Sequence, residues 1–76
     1  MNTEVSKMKN KLLISFGNRV REQRKAQNMS QEDLADAAGF HRTYIGMVER
    51  AEKNITLINI EKLAKALNIT INELLK

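Results

Sequence analysis

Signals that begin and end α-helices recur at short intervals along this chain and divide it into short segments. A Ser or Thr caps a helix start, and an acid three residues later strengthens the signal, whereas Asn or Gly often adopts the left-handed backbone that ends a helix. The predicted starting caps are Ser30, Thr56 and Thr70, and the predicted stops are Asn28, Gly39 and Asn68. With no Pro in the chain, these signals predict an all-α fold of five helices, at about Lys11–Gln27, Gln31–Ala38, Arg42–Arg50, Leu57–Leu67 and Ile71–Leu75.

The 76 residues correspond to one domain. We expect residues 1–10, which are polar and contain lysines, to form a flexible N-terminal arm, and residues 11–76 to form a single helical domain. A chain this short buries only about 60% of the surface that its unfolded form exposes. It has no Cys, and His41 is its only His, so disulfides are excluded and a zinc site is disfavoured. Helix packing or association with a second subunit must supply the remaining stability.

The residue content argues against an enzyme. The chain has no Cys, a single His and no glycine-rich phosphate loop, and it offers no pair of carboxylates in a cleft. Capping and a solvated helix face account for Glu32, Asp33 and Asp36. We therefore expect no catalytic residue, no cofactor and no metal. The sequence also contains no signal peptide and no transmembrane segment, which predicts a soluble protein that does not bind a membrane.

The net charge of +4 is unevenly distributed. Residues 1–28 carry seven Lys or Arg and two acids, residues 29–50 carry two and four, and residues 51–76 carry four and three. A basic first third suits an anionic polymer such as nucleic acid, although many small basic proteins bind none.

The segment Ser30–Arg50 contains the most informative pattern. Two short helices are predicted there, separated only by Gly39-Phe40-His41. Two helices joined by a short glycine-containing turn form the helix-turn-helix motif, whose second helix enters the DNA major groove.

The outward face of the second of these helices carries no acid. Its residues are Arg42, Thr43, Gly46, Met47 and Arg50. Arg42 lies at the N-terminal end, which is nearest the bases, and Arg can bond guanine O6 and N7 together. We predict base contacts by Arg42, Thr43, Tyr44 and Met47. Gly46 is costly inside a helix, and close approach of DNA would explain it. The alternative is an ordinary surface that happens to lack acids.

Two charged residues continue apolar stripes. Arg24 extends the stripe of Leu13, Phe16 and Val20 by one turn, and Glu49 extends that of Ile45. A buried unpaired charge is expensive, so we predict that the two side chains form an ion pair between their helices. The alternative is that both reach solvent.

Residues flanking the motif are candidates for phosphate contacts. Gln31 lies in the first turn of its helix, where free N–H groups attract anions. The other candidates are Arg50, Lys53, Asn54, Asn59 and Arg19.

The last two predicted helices carry more apolar residues than one buried stripe needs. We predict a dimer interface formed by Ile55, Ile58, Ile69, Ile71, Leu74 and Leu75, because a monomer rarely exposes so large an apolar patch. A two-fold interface there would place two recognition helices about 34 Å apart, one turn of DNA. The alternative is that these residues only close the core.

A longer pattern extends through most of the chain. It comprises Arg19–Arg24, Met29–Ala35, Gly39, Ile45, Glu49-Arg50 and Ile60–Leu67. This pattern resembles the helix-turn-helix of the lambdoid phage repressors (the Cro/C1 or XRE type) over about residues 15–76. The resemblance implies a compact five-helix fold like that of the lambda repressor, with DNA bound by the second and third helices.

Two shorter stretches, His41–Ile45 and Asn54–Glu61, resemble the controller proteins of restriction–modification systems. Controllers are homodimers that bind palindromic operator repeats upstream of their own gene and the endonuclease gene. They activate and then repress transcription, which delays the endonuclease until methylation is established. The resemblance implies double-stranded DNA, a second subunit and RNA polymerase as partners, and a cytoplasmic, nucleoid-associated location.

The resemblance also implies residue roles. Arg42 would bind guanine beside Thr43 and Tyr44, and Arg24–Glu49 matches a structural ion pair of the wider family. It implies phosphate contacts for Gln31, Arg50, Lys53, Asn54 and Asn59. Gly46-Met47 departs from the Ser-Gly that controllers often carry, which leaves the base preference open. His41 matches a capping position rather than a ligand.

Two other functions remain open at this stage. A phage-type repressor, or an antitoxin that represses its own operon, would share the same fold, although the chain has no toxin-binding tail. A protein-interaction module that has lost DNA binding is the third possibility, and Arg42 with the acid-free face argues against it.

Overall fold

The computed structural model describes the backbone of residues 3–76 and the side chains of residues 11–76. Its helices are α1 (Thr3–Ala26), α2 (Gln31–Ala38), α3 (Arg42–Glu49), α4 (Leu57–Ala66) and α5 (Ile71–Leu75). The described residues contain five helices and no strand, so the predicted all-α fold is confirmed. The predicted bounds of α2 to α5 agree within one residue.

The predicted helix starts form because side chains bond the free N–H groups of the first turn. The Ser30 hydroxyl accepts a bond of 2.9 Å from the backbone N–H of Asp33, whose carboxylate accepts one of 2.8 Å from the N–H of Ser30. Thr70 and Glu73 form the same reciprocal pair at the start of α5. These local bonds separate the helices and set the directions in which α2 and α5 begin.

Left-handed backbone ends the helices. Asn28, Gly39 and Asn68 have φ angles of 58°, 77° and 56°, as predicted. Ala51 also has a positive φ, 62°, which the sequence did not predict because alanine rarely adopts this conformation. The turn after α3 forms nevertheless, since the N–H group following Ala51 bonds the Met47 carbonyl at 2.8 Å.

Helix α1 begins at Thr3, eight residues before the predicted start at Lys11. The earlier prediction was wrong because residues 3–10 contain no Gly or Pro that would stop a helix. Residues 1 and 2 and the side chains of residues 3–10 lie outside the described part of the chain. The flexible arm expected at residues 1–10 therefore stays a prediction.

The core lies where α1, α2, α3, α4 and α5 meet. Each helix contributes at least one fully buried or nearly fully buried apolar side chain: Val20, Leu34, Ile45, Leu63, Leu67 and Leu74 are almost completely inaccessible. Leu74 was predicted at a dimer interface, and that assignment was wrong. The short helix α5 directs Leu74 inward, and its neighbours Ile71 and Leu75 are the exposed residues. Within residues 3–76, no helix is long and apolar enough to cross a bilayer.

Candidate nucleic-acid interface

Helices α2 and α3 and the turn between them form a helix-turn-helix. Gly39 adopts the left-handed conformation that ends α2, and the Phe40 ring lies 4.8 Å from the Tyr44 ring, centre to centre. The Phe40 ring also lies 5.7 Å from the ammonium group of Lys62 on α4. His41 occupies the N-cap position of α3 and makes no side-chain capping bond. Contacts with Tyr44 on α3 and Lys62 on α4 therefore hold Phe40 in place. They help to fix the orientation of α3 relative to α2 and α4.

Helix α3 has one buried and one open face. Ile45 and Val48 are in the core. Arg42 and Thr43, in the first turn, are exposed, and Met47 is half-buried. The face predicted to approach DNA is therefore accessible at its N-terminal end.

The predicted ion pair between α1 and α3 is present. Arg24 Nε donates to Glu49 Oε2 at 2.7 Å and Arg24 Nη2 donates to Glu49 Oε1 at 3.0 Å, with the side chains 10% and 0% exposed. Arg24 Nη1 also donates to the Met29 carbonyl at 2.8 Å. One guanidinium thus joins α1, α3 and the segment that leads into α2.

Two more donors complete the site of this carboxylate. Gln31 Nε2 donates to Glu49 Oε1 at 3.1 Å, and Arg21 Nε reaches the same oxygen at 3.5 Å. Gln31 was predicted at a phosphate, but its side-chain amide donates to Glu49. A phosphate contact by this residue would therefore use its backbone N–H, at the start of α2. Arg21 was not among the predicted residues, although it lies one turn before Arg24 on the same face of α1.

The pKa of Glu49 reflects two opposing effects. Burial raises the pKa of the carboxyl, and the bonds from Arg24, Gln31 and Arg21 together with the Arg24 charge lower it further than burial raises it. The net pKa lies below the usual glutamate value. The pKa of Arg24 is raised, chiefly by its hydrogen bond to Glu49. Both groups are therefore charged in the folded chain at neutral pH.

Helix α1 approaches the end of α3 at Gly17. A Cβ on this glycine would lie 2.6 Å from the Val48 carbonyl oxygen and 2.7 Å from that of Glu49. Only a residue without a side chain allows this contact. This contact was not predicted, although a glycine inside the helix predicted at Lys11–Gln27 is a signal for close packing.

Arg50, predicted at a phosphate, is paired in the structure. Its Nε and Nη2 donate to the two carboxylate oxygens of Glu52 at 3.1 and 3.2 Å. Its Nη1 lies against Gly46, 3.0 Å from the place of a Cβ. Gly46 is therefore covered by the Arg50 side chain, an arrangement that was not predicted from the sequence.

Tyr44 and Asn59 bond each other. Asn59 Nδ2 donates to the Tyr44 hydroxyl at 3.1 Å, and both residues are half-buried. Tyr44 was predicted at a base and Asn59 at a phosphate. This bond joins α3 to the start of α4 and occupies the Tyr44 hydroxyl and the Asn59 amide group. Lys53 and Asn54, in the connecting loop, are exposed.

Arg19 does not lie with the other predicted phosphate-contacting residues. Its Nε donates to the Glu73 carbonyl on α5 at 3.1 Å. It is two residues from Gly17 and from Arg21, which places it roughly 160–200° away around the helix, so it points away from the side of α1 that contacts α3.

The predicted dimer residues divide into three groups. Ile58, Ile71 and Leu75 are exposed, at 68%, 36% and 51%. Ile55 and Ile69 are half-buried against the core, and Leu74 is inside it. Three further apolar residues, which were not predicted at the interface, are also exposed: Leu12, Ile14 and Leu57.

An apolar groove of about 270 Å³ lies between α1 and α5. Leu12, Phe16, Ile55 and Leu75 are among the residues that line it. Of the exposed apolar residues, Leu12 on α1 and Leu75 on α5 therefore share one groove. Among the described side chains, no cluster of three or more His, Asp and Glu is placed to hold a metal ion.

The fold and this site define a class of protein. The chain matches the family model described as helix-turn-helix (HTH_3) over residues 20–74. It belongs to this family of DNA-binding transcription regulators, which confirms the expected Cro/C1-type domain.

Its relatives include restriction–modification control proteins. Control protein C.SmaI of Serratia marcescens is 55% identical over 56 residues, covering 74% of this chain and 67% of that protein. Control protein C.BamHI of Bacillus amyloliquefaciens is 46% identical over 69 residues, covering 90% and 85%. The crystal structure of the restriction–modification controller protein C.AhdI from Aeromonas hydrophila matches this fold with a TM-score of 0.80. The two sequences are 52% identical, and the match covers 82% of this chain and 94% of that one. The resemblance to controller proteins is thereby confirmed.

Proposed function

We propose that this protein is the controller of a restriction–modification system. As a homodimer in the cytoplasm, associated with the nucleoid, it binds palindromic operator repeats upstream of its own gene and the endonuclease gene. It first activates transcription, through contact with RNA polymerase, and represses it as the protein accumulates. The exposed N-terminal end of α3, with Arg42 in its first position, is the observation that carries this proposal.

Arg42 and Thr43 are the proposed base-contacting residues. Both are exposed in the first turn of α3, the part of a recognition helix that reaches base edges. Arg42 can donate to O6 and N7 of one guanine. Met47, half-buried one turn further on, presents an apolar surface suited to a thymine methyl group. Tyr44 remains a proposed base contact through its ring, because its hydroxyl bonds Asn59.

Lys53, Asn54 and the start of α2 are the proposed phosphate-binding groups. Lys53 and Asn54 lie in the loop between α3 and α4 and are exposed. The backbone N–H groups of Gln31 and its neighbours lie at a helix start, where the dipole attracts an anion. Asn59 and Arg19 are weaker candidates, since both side chains make bonds within the protein.

The proposed dimer brings two copies of α3 to successive major grooves. Ile58, Ile71 and Leu75 supply its main apolar contacts, and the half-buried Ile55 and Ile69 supply the remainder. Two half-sites about 34 Å apart would then be bound together, which requires a palindromic operator.

The DNA-binding part of the proposal is tested by gel-shift titration of two variants. Operator duplexes selected by the wild-type protein and random duplexes serve as probes. Arg42→Ala should weaken the free energy of binding to the operator by about 1–3 kcal/mol and relax the sequence preference at one base pair. Lys53→Ala should weaken binding to both probes alike and reduce the salt slope by about one. Lys65→Ala, an exposed lysine in the last turn of α4, is the control. An equal loss on both probes for Arg42→Ala would contradict base recognition.

The regulatory part is tested by transcription in vitro from the region upstream of the gene. With RNA polymerase present, the transcript of the protein's own gene should rise and then fall as the protein concentration increases. A monotonic fall would instead identify a simple repressor.

A further inference from the structure

Glu52 forms a two-point ion pair with Arg50 beside the open face of α3. Nε and Nη2 of Arg50 donate to Oε2 and Oε1 of Glu52 at 3.1 and 3.2 Å. Both side chains are 52% exposed. Parallel bonds between a guanidinium and a carboxylate fix the plane and direction of the guanidinium as well as its position.

The same guanidinium lies over Gly46. Its Nη1 atom is 3.0 Å from the position of a Cβ on that glycine, and the carbon between its nitrogens is 3.7 Å from it. Gly46 precedes Arg50 by one helical turn, so the charged group is displaced toward the N-terminus of α3. It therefore lies on the side of α3 that also carries Arg42, rather than beyond the helix end.

Within the part of the chain whose side chains are described, hydrogen bonds engage only the Nε–Nη2 edge of this guanidinium. Arg has five N–H groups, and Glu52 takes the one on Nε and one on Nη2. Both N–H groups of Nη1 and the second of Nη2 point away from the carboxylate. Two adjacent N–H groups at the end of an Arg form the fork that fits guanine O6 and N7.

We propose that Glu52 is a specificity-determining positioning residue: it holds Arg50 over Gly46 so that Arg50 binds a second guanine in the major groove. The proposal rests on the proposed DNA-binding function. It assigns Arg50 to a base edge instead of the phosphate expected from the sequence. Glu52 itself touches no DNA.

The charge of Glu52 favours this assignment over a phosphate contact. A phosphate-binding Arg gains its affinity from neutralising the backbone, and a bound carboxylate would remove most of that gain. A base-binding Arg gains from orientation, which the carboxylate supplies. Gly46 fits the same explanation, since a side chain at this position would push the guanidinium away.

Selection from a random duplex library tests the proposal. Wild-type protein, Glu52→Gln, Arg50→Ala and Glu61→Gln select duplexes in parallel, and the affinities for the selected site and for single-base variants are measured. Glu61 is an exposed acid on α4, so Glu61→Gln controls for the change in net charge. We expect Glu52→Gln to lose about fivefold or more of the preference at one guanine, at a base pair different from the one that Arg42→Ala relaxes. Glu61→Gln should keep that preference.

A double-variant cycle separates positioning from a general charge effect. Arg50→Ala should lose preference at the same base pair, and adding Glu52→Gln to it should cause no further loss there. Gly46→Ala should weaken the same preference. An unchanged preference in Glu52→Gln, or an equal gain of affinity on every duplex as in Glu61→Gln, would overturn the proposal. If the wild-type protein selected no sequence at all, the DNA-binding function itself would fail instead.

Discussion

At the scale of single residues, Glu49 is the most constrained group in the molecule. Its side chain is fully buried, and it accepts bonds from Arg24, Gln31 and Arg21. A buried ion pair adds little net stability, but losing one partner leaves an uncompensated charge and costs about 3–5 kcal/mol. The pair therefore serves mainly to fix the position of α3 relative to α1.

The lowered pKa of Glu49 predicts acid sensitivity. Because the folded-state pKa lies below the unfolded value of about 4.3, this group contributes its full stabilisation above that pH and loses it as the pH falls through the folded pKa. Thermal unfolding followed by circular dichroism should show a steep fall of the midpoint below about pH 4.

A second acid with a lowered pKa supplies the control for this prediction. The backbone N–H of Thr70 is the main cause of the lowered pKa of Glu73, which is exposed. Glu73→Gln should leave the steep fall in place. A wild-type midpoint that stays constant down to pH 3 would contradict the assigned role of Glu49.

At the scale of helices, the orientation of α3 depends on a backbone contact as well as on side chains. Gly17 lets α1 lie directly against the carbonyl groups of Val48 and Glu49 at the end of α3. Backbone oxygens cannot rotate away as side chains do, so a larger residue at position 17 must move a helix.

Gly17→Ala is predicted to destabilise the fold by about 1–3 kcal/mol, although Gly→Ala in an unconstrained helix stabilises by up to about 1 kcal/mol. Urea unfolding measures the change. Gly46→Ala is the matched control, since its Cβ meets only the flexible end of Arg50, and its stability should stay equal or rise. A Gly17→Ala protein as stable as wild type would show that α1 and α3 separate freely.

At the scale of the whole molecule, the chain exposes apolar residues on three helices. Leu12 on α1, Ile58 on α4 and Leu75 on α5 are 73%, 68% and 51% exposed. A small core with this much exposed apolar surface favours association, and the proposed dimer would cover the α4–α5 side.

Ile58→Asp is predicted to give a monomer at micromolar concentration, because a charge at the centre of an apolar interface is costly to bury. Sedimentation equilibrium measures the mass. Leu12→Asp introduces the same charge on α1 and should remain dimeric. A wild-type protein found only as monomer would exclude the dimer, and a monomeric Leu12→Asp with a dimeric Ile58→Asp would place the interface on α1.

The sequence by itself determined where four of the five helices lie and which segment forms the helix-turn-helix. Caps such as Ser30 and stops such as Gly39 act within three to five residues, so their effect is visible without knowledge of the rest of the fold. Arg24 and Glu49 were predictable as partners because each interrupts an apolar stripe where a charge needs a counter-charge.

Only the tertiary structure decided which residues meet across helices. In the folded chain, Gly17 contacts α3 and Arg50 covers Gly46. Leu74 is in the core, and Arg19 donates a hydrogen bond to α5. Helical periodicity defines a face, but the neighbour of that face depends on the packing of segments distant in the chain. The helix-turn-helix could therefore be predicted from local capping and stop signals. The orientation of its exposed arginines could not, because it is set by contacts that only the folded chain creates.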